Sequence, residues 1–203
     1  MLSHPNAFRF EDYPNAARFR PVAPANIEAL AKRHDLTFCD DYLAFLQRHN
    51  GYNFDSITAA PPWAREHRLI DFLRYIFGIE TGWEYNDLAR RIDGHILDPA
   101  YLRFVYPIGQ GPGGNPVVQV HQGKLRGQIM LIDNDLQMSA EEFEETAKRK
   151  LESYAADQLI PWFRDTHGSF VAIGENLSVF LDDLLVARED SGAINVAIVA
   201  KDA

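Results

Sequence analysis

The chain has 203 residues but only one cysteine, Cys39. A single thiol cannot form an internal disulfide, and a zinc site built from several cysteines is excluded. The sequence also lacks an apolar run of roughly 18 residues, so it predicts no membrane-spanning helix. Its first residues, MLSHPNAFRFEDYPNAARFRP, contain no apolar stretch typical of a signal peptide. Together these absences predict a cytoplasmic protein that does not enter a membrane.

Positive charge is scarce, because 20 Lys and Arg residues face 29 Asp and Glu residues and the net charge is −9. A protein that binds nucleic acid meets the phosphates with a basic stripe. The one dense basic run, Lys148-Arg149-Lys150, follows Glu144 and Glu145 at i,i+4 spacing, which is typical of a solvated helix face. We therefore expect no direct binding of nucleic acid, and an acidic surface favours basic partners.

A glycine-rich stretch, IGQGPGGNP, places Gly109, Gly111 and Gly114 in the spacing of a dinucleotide-binding loop. That loop requires a helix after the glycines, so that free amides meet the pyrophosphate. Here Pro116 and the strand-forming letters VVQV follow instead. The pattern predicts a strand-to-strand connection without a bound nucleotide, in which Asn115 braces the turn through its amide.

A second stretch partly matches a calcium-binding loop. Asp133, Asp135, Gln137 and Glu144 fall at its first, third, fifth and twelfth positions, but Met138 stands where the sharp turn requires glycine. A strand rather than a helix is predicted before it. We therefore interpret the stretch as a polar strand end that leads to a helix cap, and we expect no metal site.

Catalytic motifs are also missing from the sequence. The seven histidines show no H-x-x-x-H pair, and no G-x-S-x-G motif is present. Asp40 and Asp41 follow Cys39, and their charges would raise the pKa of its thiol rather than activate it. We predict no catalytic, cofactor-binding or metal-binding residues. A hydrolase built on scattered carboxylates and histidines stays open as an alternative.

Apolar periodicity and capping residues predict six helices. One begins at Pro24, and a second follows a cap at Asp40 or Asp41 and ends at Asn50-Gly51. A third spans residues 61–77, and a fourth lies near residues 86–92. A long helix runs from the capping box Ser139-x-x-Glu142 to Pro161, which bounds or kinks it, and the last is capped by Asn176 and buries Leu177, Phe180, Leu181, Leu184 and Leu185.

β-Branched and apolar residues cluster at residues 103–107, 117–121, 128–133 and 169–173, with 193–200 as a final candidate strand. The second and third segments predict a hairpin around Gly123. Strands follow one another and helices lie before and after them, which predicts an α+β fold with a mainly antiparallel central sheet and packed helices.

In this order the segments resemble the SUKH superfamily, which includes a fungal cell-wall regulator and many bacterial immunity proteins. The resemblance rests on IEALAKRHDLTFCDDYLAFLQRHNGY, YIFGI, YPIGQGPGGNPVVQV, GQIMLIDND and SFVAIGENLSVFLDDLL, and it covers about three quarters of the chain, residues 27–185. Phe38-Cys39 replaces the family's usual Leu-Pro. The resemblance implies one domain over residues 1–203. Residues 1–23 lack periodicity and are expected to form an irregular arm, and the chain departs from the family by an expected helical insertion at 139–164 and an extension at 188–203.

What the resemblance implies is a binding module rather than an enzyme. Bacterial members are implied to neutralise toxin domains, often nucleases or deaminases, by occupying them, whereas fungal members act as regulatory scaffolds. A cognate basic toxin domain is therefore the expected partner, and the net negative charge agrees with it. The candidate contacts are Asp133, Asp135, Glu141 and Glu142. For the same four residues, a solvated strand end and an N-terminal helix cap are the alternative.

Overall fold

The computed structural model of the chain describes residues 19–53 and 75–181. Within them, six strands form one sheet in sequence order, and every neighbouring pair is antiparallel. The strands are β1 (Tyr52–Asn53), β2 (Tyr75–Ile76), β3 (Val105–Gln110), β4 (Pro116–Val120), β5 (Ile129–Ile132) and β6 (Phe170–Gly174). The predicted α+β class with a mainly antiparallel sheet is confirmed, and so is the hairpin formed by β4 and β5.

Helices precede, interrupt and follow the sheet. They are α1 (Pro24–Arg33), α2 (Asp40–Arg48), α3 (Leu88–Asp93), α4 (Ala140–Ala147) and α5 (Ala156–Pro161), which continues into a π-helical turn, Trp162–His167. A last helix begins at residue 177 and is described to residue 181. Short 3-10 turns occupy Glu84–Asn86, Pro99–Arg103, Pro112–Gly114 and Leu151–Ser153. No helix among the described residues is long and apolar enough to cross a bilayer.

Three of the four helix starts predicted from local sequence signals are confirmed. Pro24 occupies the first turn of α1, Ser139 and Glu142 form the capping box of α4, and Asn176 accepts a hydrogen bond from Val179 N at 3.0 Å. The prediction that Asp40 or Asp41 caps α2 is wrong. Both lie in its first turn, and Cys39 holds the cap position without a side-chain bond.

The sheet is buried on both faces. The first core lies between the sheet and α1, α2, α3 and the last helix, and it includes Tyr106, Ile108, Val117, Leu131 and Ile173. The second core lies under α4, α5 and the π-helical turn, and it includes Val105, Val118, Met130, Ile132 and Phe170. Because neither face meets water, β4 and β5 are buried along their whole length.

The predicted long helix from Ser139 to Pro161 is wrong. The chain leaves α4 at Lys148, whose φ is 54°, forms the short turn Leu151–Ser153 and starts again at α5. Lys148 takes a left-handed conformation although it is not glycine, and both Phe143, before the break, and Leu151, after it, lie in the second core. The segment 139–164, expected as an insertion, thus supplies much of one core.

Other predicted elements lie wholly or partly outside the described residues. The helix expected over residues 61–77 lies mostly outside them, and where it is described, at Tyr75–Ile76, the chain forms β2 instead. Residues 19–23 are irregular, as expected for the arm, whose residues 1–18 lie outside. The candidate strand 193–200, the extension 188–203, Leu184 and Leu185 also lie outside the described residues.

Candidate binding surface

The glycine-rich stretch connects two strands of the sheet. Gly113 and Gly114 have φ values of 70° and 90°, which favour glycine, and Gly111 N donates to Asn115 O at 2.9 Å. β4 begins directly afterwards, at the place where a dinucleotide loop would begin its helix. The prediction of a strand-to-strand connection is confirmed.

Asn115 holds this connection against the loop that follows β5. Its side-chain oxygen accepts a hydrogen bond from Asn134 N at 3.0 Å, and Gln110 Nε2 donates to Gly114 O at 3.0 Å. The predicted bracing role of Asn115 is therefore confirmed, although the amide that it engages lies in a neighbouring loop. As a result, the glycine turn and the start of the next loop lie side by side at one end of the sheet.

The four predicted acidic contacts lie in the loop after β5 and in the first turn of α4. Asp133 is only 8% exposed, and its Oδ1 accepts a hydrogen bond from Asp135 N at 2.9 Å. It therefore serves as a turn brace. Asp135, Glu141 and Glu142 are exposed, and we call these three residues the acidic edge. Hydrogen bonds from Ser139, chiefly from its backbone amide, lower the pKa of Glu142.

A buried polar network lies towards the other end of the sheet. The Tyr106 hydroxyl accepts from Cys39 N at 2.9 Å and donates to Gln119 Oε1 at 2.5 Å. Gln119 Nε2 donates to both oxygens of Asp41, and Asp41 Oδ2 also accepts from Leu177 N at 2.8 Å. Burial raises the pKa of the Cys39 thiol, with a smaller contribution from Asp41. These groups tie α2, the sheet and the last helix together.

A cavity of about 210 Å³ lies beside the turn of the β4–β5 hairpin. Its polar lining includes Arg103, Gln122, Tyr154 and one carboxylate, Asp157. Asp157 Oδ1 accepts a hydrogen bond from Lys124 N at 2.5 Å. The paired carboxylates on which the hydrolase alternative depends are not brought together in this cavity.

A compact loop, residues 78–88, projects from the sheet between β2 and α3, and we call it the aromatic loop. Gly78 N donates to Asn86 O at 2.8 Å, and Leu88 N donates to Gly78 O at 2.7 Å. These bonds bring the two ends of the loop together. Closed surface loops of this size, stabilised by their own side chains, are frequently functional.

Asn50 fixes the aromatic loop from the end of α2. Its Nδ2 donates to Ile79 O at 2.8 Å and to Arg20 O at 2.7 Å, and its Oδ1 accepts from Ile79 N at 2.8 Å. The backbones of Gly78 and Asn50 also pack closely against each other. A Cβ atom on Gly78 would lie only 2.1 Å from Asn50 O. The Asn-Gly pair that ends α2 thus also seats this loop.

Two further buried polar side chains hold the loop from inside. Asn86 Nδ2 donates to Tyr52 O at 3.0 Å, and Asp87 accepts from Thr81 N and from Arg90 N, both at 3.2 Å. Asn86 is fully buried, and Asp87 is 8% exposed. Buried polar groups are costly unless they are hydrogen-bonded, so these residues give the loop one well-defined conformation.

The tip of the aromatic loop presents large apolar side chains to solvent. Tyr85 is 62% exposed and Trp83 is 51% exposed, and Leu136, beside the acidic edge, follows at 45%. They are the large hydrophobic side chains that stand exposed in the described part of the chain. The inner face of Tyr85 stacks on Tyr75 with ring centroids 6.4 Å apart, while its outer side faces water.

The tip of the aromatic loop is connected to the glycine turn through β2 and β3. Tyr85 stacks on Tyr75, and Tyr75 pairs with Gln110 across β2 and β3. Gln110 Oε1 accepts a hydrogen bond from Arg91, and its Nε2 donates to Gly114 O. The backbone leaves β2 in the other direction, because Ile76 lies opposite Gly109 and Phe77 N donates to Ile108 O.

Sequence reasoning missed the aromatic loop. The segment ETGWEYND carries a tryptophan and a tyrosine among turn-forming and acidic residues, between Gly82 and Asn86. That composition was the available signal: aromatic residues surrounded by polar, turn-forming residues have few apolar neighbours in sequence, which indicates that they can be exposed. Comparison of the chain with known protein families, characterised proteins and solved structures gives no match.

Proposed function

We propose that the chain is a non-enzymatic protein-binding module of the immunity type, which neutralises a basic toxin domain by binding it. The observation that carries this proposal is the aromatic loop, which holds Trp83 and Tyr85 rigidly in solvent. Contact with water does little to stabilise an exposed aromatic ring, so exposed apolar residues often mark an interaction site. Tryptophan and tyrosine are also enriched among the residues that contribute most of the binding energy at protein interfaces.

The construction of the loop supports a binding role. Asn50, Asn86 and Asp87 are buried polar residues whose hydrogen bonds fix the backbone beneath the exposed rings. Glu80 adopts a φ of 54°, a conformation that non-glycine residues rarely adopt. A loop that is already ordered loses little conformational entropy when a partner binds, which raises affinity.

Charge supports a basic partner. The chain carries a net charge of −9, and the three residues of the acidic edge are exposed. Complementary charge mainly speeds association and orients the partner, whereas aromatic contacts slow dissociation. The choice of a toxin, of the nuclease or deaminase type, comes from the SUKH-like order of motifs in the sequence.

The proposal is tested by co-expressing the chain with the protein encoded beside its gene and measuring growth. The wild type should restore growth when the neighbour is toxic, and the purified pair should associate more slowly as salt rises, because the Debye length is only about 8 Å at physiological ionic strength. Charge reversal at Asp135 and Glu141 should slow association further without unfolding the protein. Asp133 and Glu142 are reversed separately, since Asp133 braces a turn and Glu142 caps α4.

Absence of both protection and binding would remove the immunity function. Protection that survives reversal of all four acids would remove Asp133 and the acidic edge from the interface. Reversal at Glu145 and Glu152, two exposed acidic residues outside the acidic edge, is the matched control for a general change of net charge.

A further inference from the structure

We infer that the aromatic loop binds an arginine side chain of the partner protein, held between the exposed rings and a carboxylate of the loop. This inference rests on the proposed function, because it assumes that the loop meets a protein. It goes further by naming the group that is recognised. It also moves the centre of the interface from the acidic edge, which the sequence suggested, to Trp83 and Tyr85.

The residues at the tip have the chemistry that recognises a cation. Trp83 and Tyr85 offer two π-systems, and the face of a tryptophan ring attracts a cation more strongly than any other side-chain ring. Glu84 lies between them in sequence and is exposed. Glu80, the other exposed carboxylate of the loop, already accepts a hydrogen bond from Asn26. Glu84 is therefore the carboxylate assigned to accept the hydrogen bonds of the bound cation.

Arginine fits this surface better than lysine. Its guanidinium group is planar and weakly hydrated, so it stacks on a ring while its edge donates two parallel hydrogen bonds to a carboxylate. The chain already uses this geometry internally, since the guanidinium of Arg149 lies 4.5 Å from the Tyr154 ring centroid. A lysine ammonium is a strongly hydrated point charge and gains less from a flat, exposed ring.

Arg91, one of the cations near the loop, is engaged on its inner side. It stacks over Phe77 and donates a hydrogen bond to Gln110. Tyr75 stacks on Tyr85. Trp83 makes an edge-on contact with Phe19, and its backbone is fixed by bonds to Thr81 and Asn86. With Arg91 bound to Gln110, more than half of each exposed ring residue still meets solvent.

The test uses the full chain and two synthetic peptides of equal charge, one alternating glycine with arginine and the other alternating glycine with lysine. Nuclear magnetic resonance follows the indole signals of the three tryptophans, and Trp83→Phe assigns that of Trp83. Calorimetry at fixed ionic strength gives the affinities. We expect the arginine peptide to shift the Trp83 signal and to bind about 2- to 5-fold more tightly than the lysine peptide.

Variants separate this recognition from general charge attraction. Trp83→Ala and Tyr85→Ala should each remove the preference for arginine, whereas Leu136→Ala, which removes the other exposed apolar side chain, should leave it unchanged. Glu84→Gln should weaken the arginine peptide more than the lysine peptide. Equal binding of both peptides, unaffected by the ring variants, would overturn the inference.

Failure of this inference and failure of the proposed function give different results. If Trp83→Ala abolishes protection against the toxin but the peptides show no preference, the loop binds the partner through other chemistry. If the peptides show the preference but the wild type gives no protection and does not bind the protein encoded beside its gene, the arginine site is supported and the immunity function is disproved.

Discussion

Replacing Asn50 with alanine should destabilise the protein and loosen the aromatic loop without touching the exposed rings. The Asn50 side chain makes three hydrogen bonds in a buried position. At about 0.5–1.5 kcal/mol for each bond, their loss costs about 2–4 kcal/mol. Asn50 also has a φ of 49°, which asparagine tolerates better than alanine, and this adds about 1 kcal/mol.

Two companion variants divide this total into its parts. Asn50→Gly accepts the positive φ without strain, so it should show the loss of the hydrogen bonds alone, about 2–4 kcal/mol. Asn26→Ala removes an exposed hydrogen bond to Glu80, on the same loop, and should change stability by less than about 0.5 kcal/mol.

Urea unfolding at pH 7 measures the free energies, and hydrogen exchange at the amides of residues 79–88 measures opening of the loop. We expect Asn50→Ala to speed exchange in this loop more than elsewhere and to weaken partner binding, because a disordered loop must be ordered on association. A loss of stability below about 0.5 kcal/mol, with unchanged exchange, would refute the reasoning that Asn50 holds the loop.

Three further changes test the rest of the fold. Tyr106→Phe leaves Cys39 N and Gln119 Oε1 without a buried partner and should cost about 2–4 kcal/mol in urea unfolding; an unchanged midpoint would disprove the network. Leu181→Ala should cost about 2–5 kcal/mol because the side chain is buried, and a cost near zero would show a free helix face. Burial, with Arg48 second, lowers the pKa of His49 to about 4. Between about pH 6.5 and pH 4, His49 is protonated in the unfolded chain but not in the folded protein. The free energy of unfolding is therefore unaffected above pH 6.5 and decreases by about 1–2 kcal/mol as the pH falls to 4, allowing for the partial exposure of His49. His49→Gln should flatten that part of the profile.

Local signals in the sequence predicted much of the fold. The hairpin around Gly123, the first-turn proline at Pro24 and the caps at Ser139 and Asn176 each depend on a few neighbouring residues, and all are confirmed. The break after α4 was missed because Lys148, rather than a glycine, takes the left-handed conformation that ends the helix, so the sequence carries no usual stop signal there. Asp40 or Asp41 was predicted as the cap of α2, but the Asp41 carboxylate accepts a hydrogen bond from Leu177 N, 136 residues away, which no local rule foresees.

The candidate site was predictable only in part. Charge pattern placed Asp135, Glu141 and Glu142 in solvent, and the structure agrees. Burial of Asp133 could not be inferred, because its exposure depends on how the loop after β5 folds back. The aromatic loop escaped detection for a similar reason. The polar turn residues around Trp83 were a local signal, but the conformation of the loop depends on clamps, chiefly Asn50, that act over a long distance along the chain.

The most direct test of the central claim is the affinity of the Trp83→Ala/Tyr85→Ala double variant for the toxin encoded beside the gene, measured by calorimetry against the wild type. Urea unfolding should show that the variant is as stable as the wild type within about 0.5 kcal/mol, since both side chains are exposed. We expect its affinity to fall by about 30-fold or more, which is typical when interface anchors are removed. Binding within about 2-fold of the wild type, in a folded variant, would contradict the assignment of the aromatic loop as the binding surface.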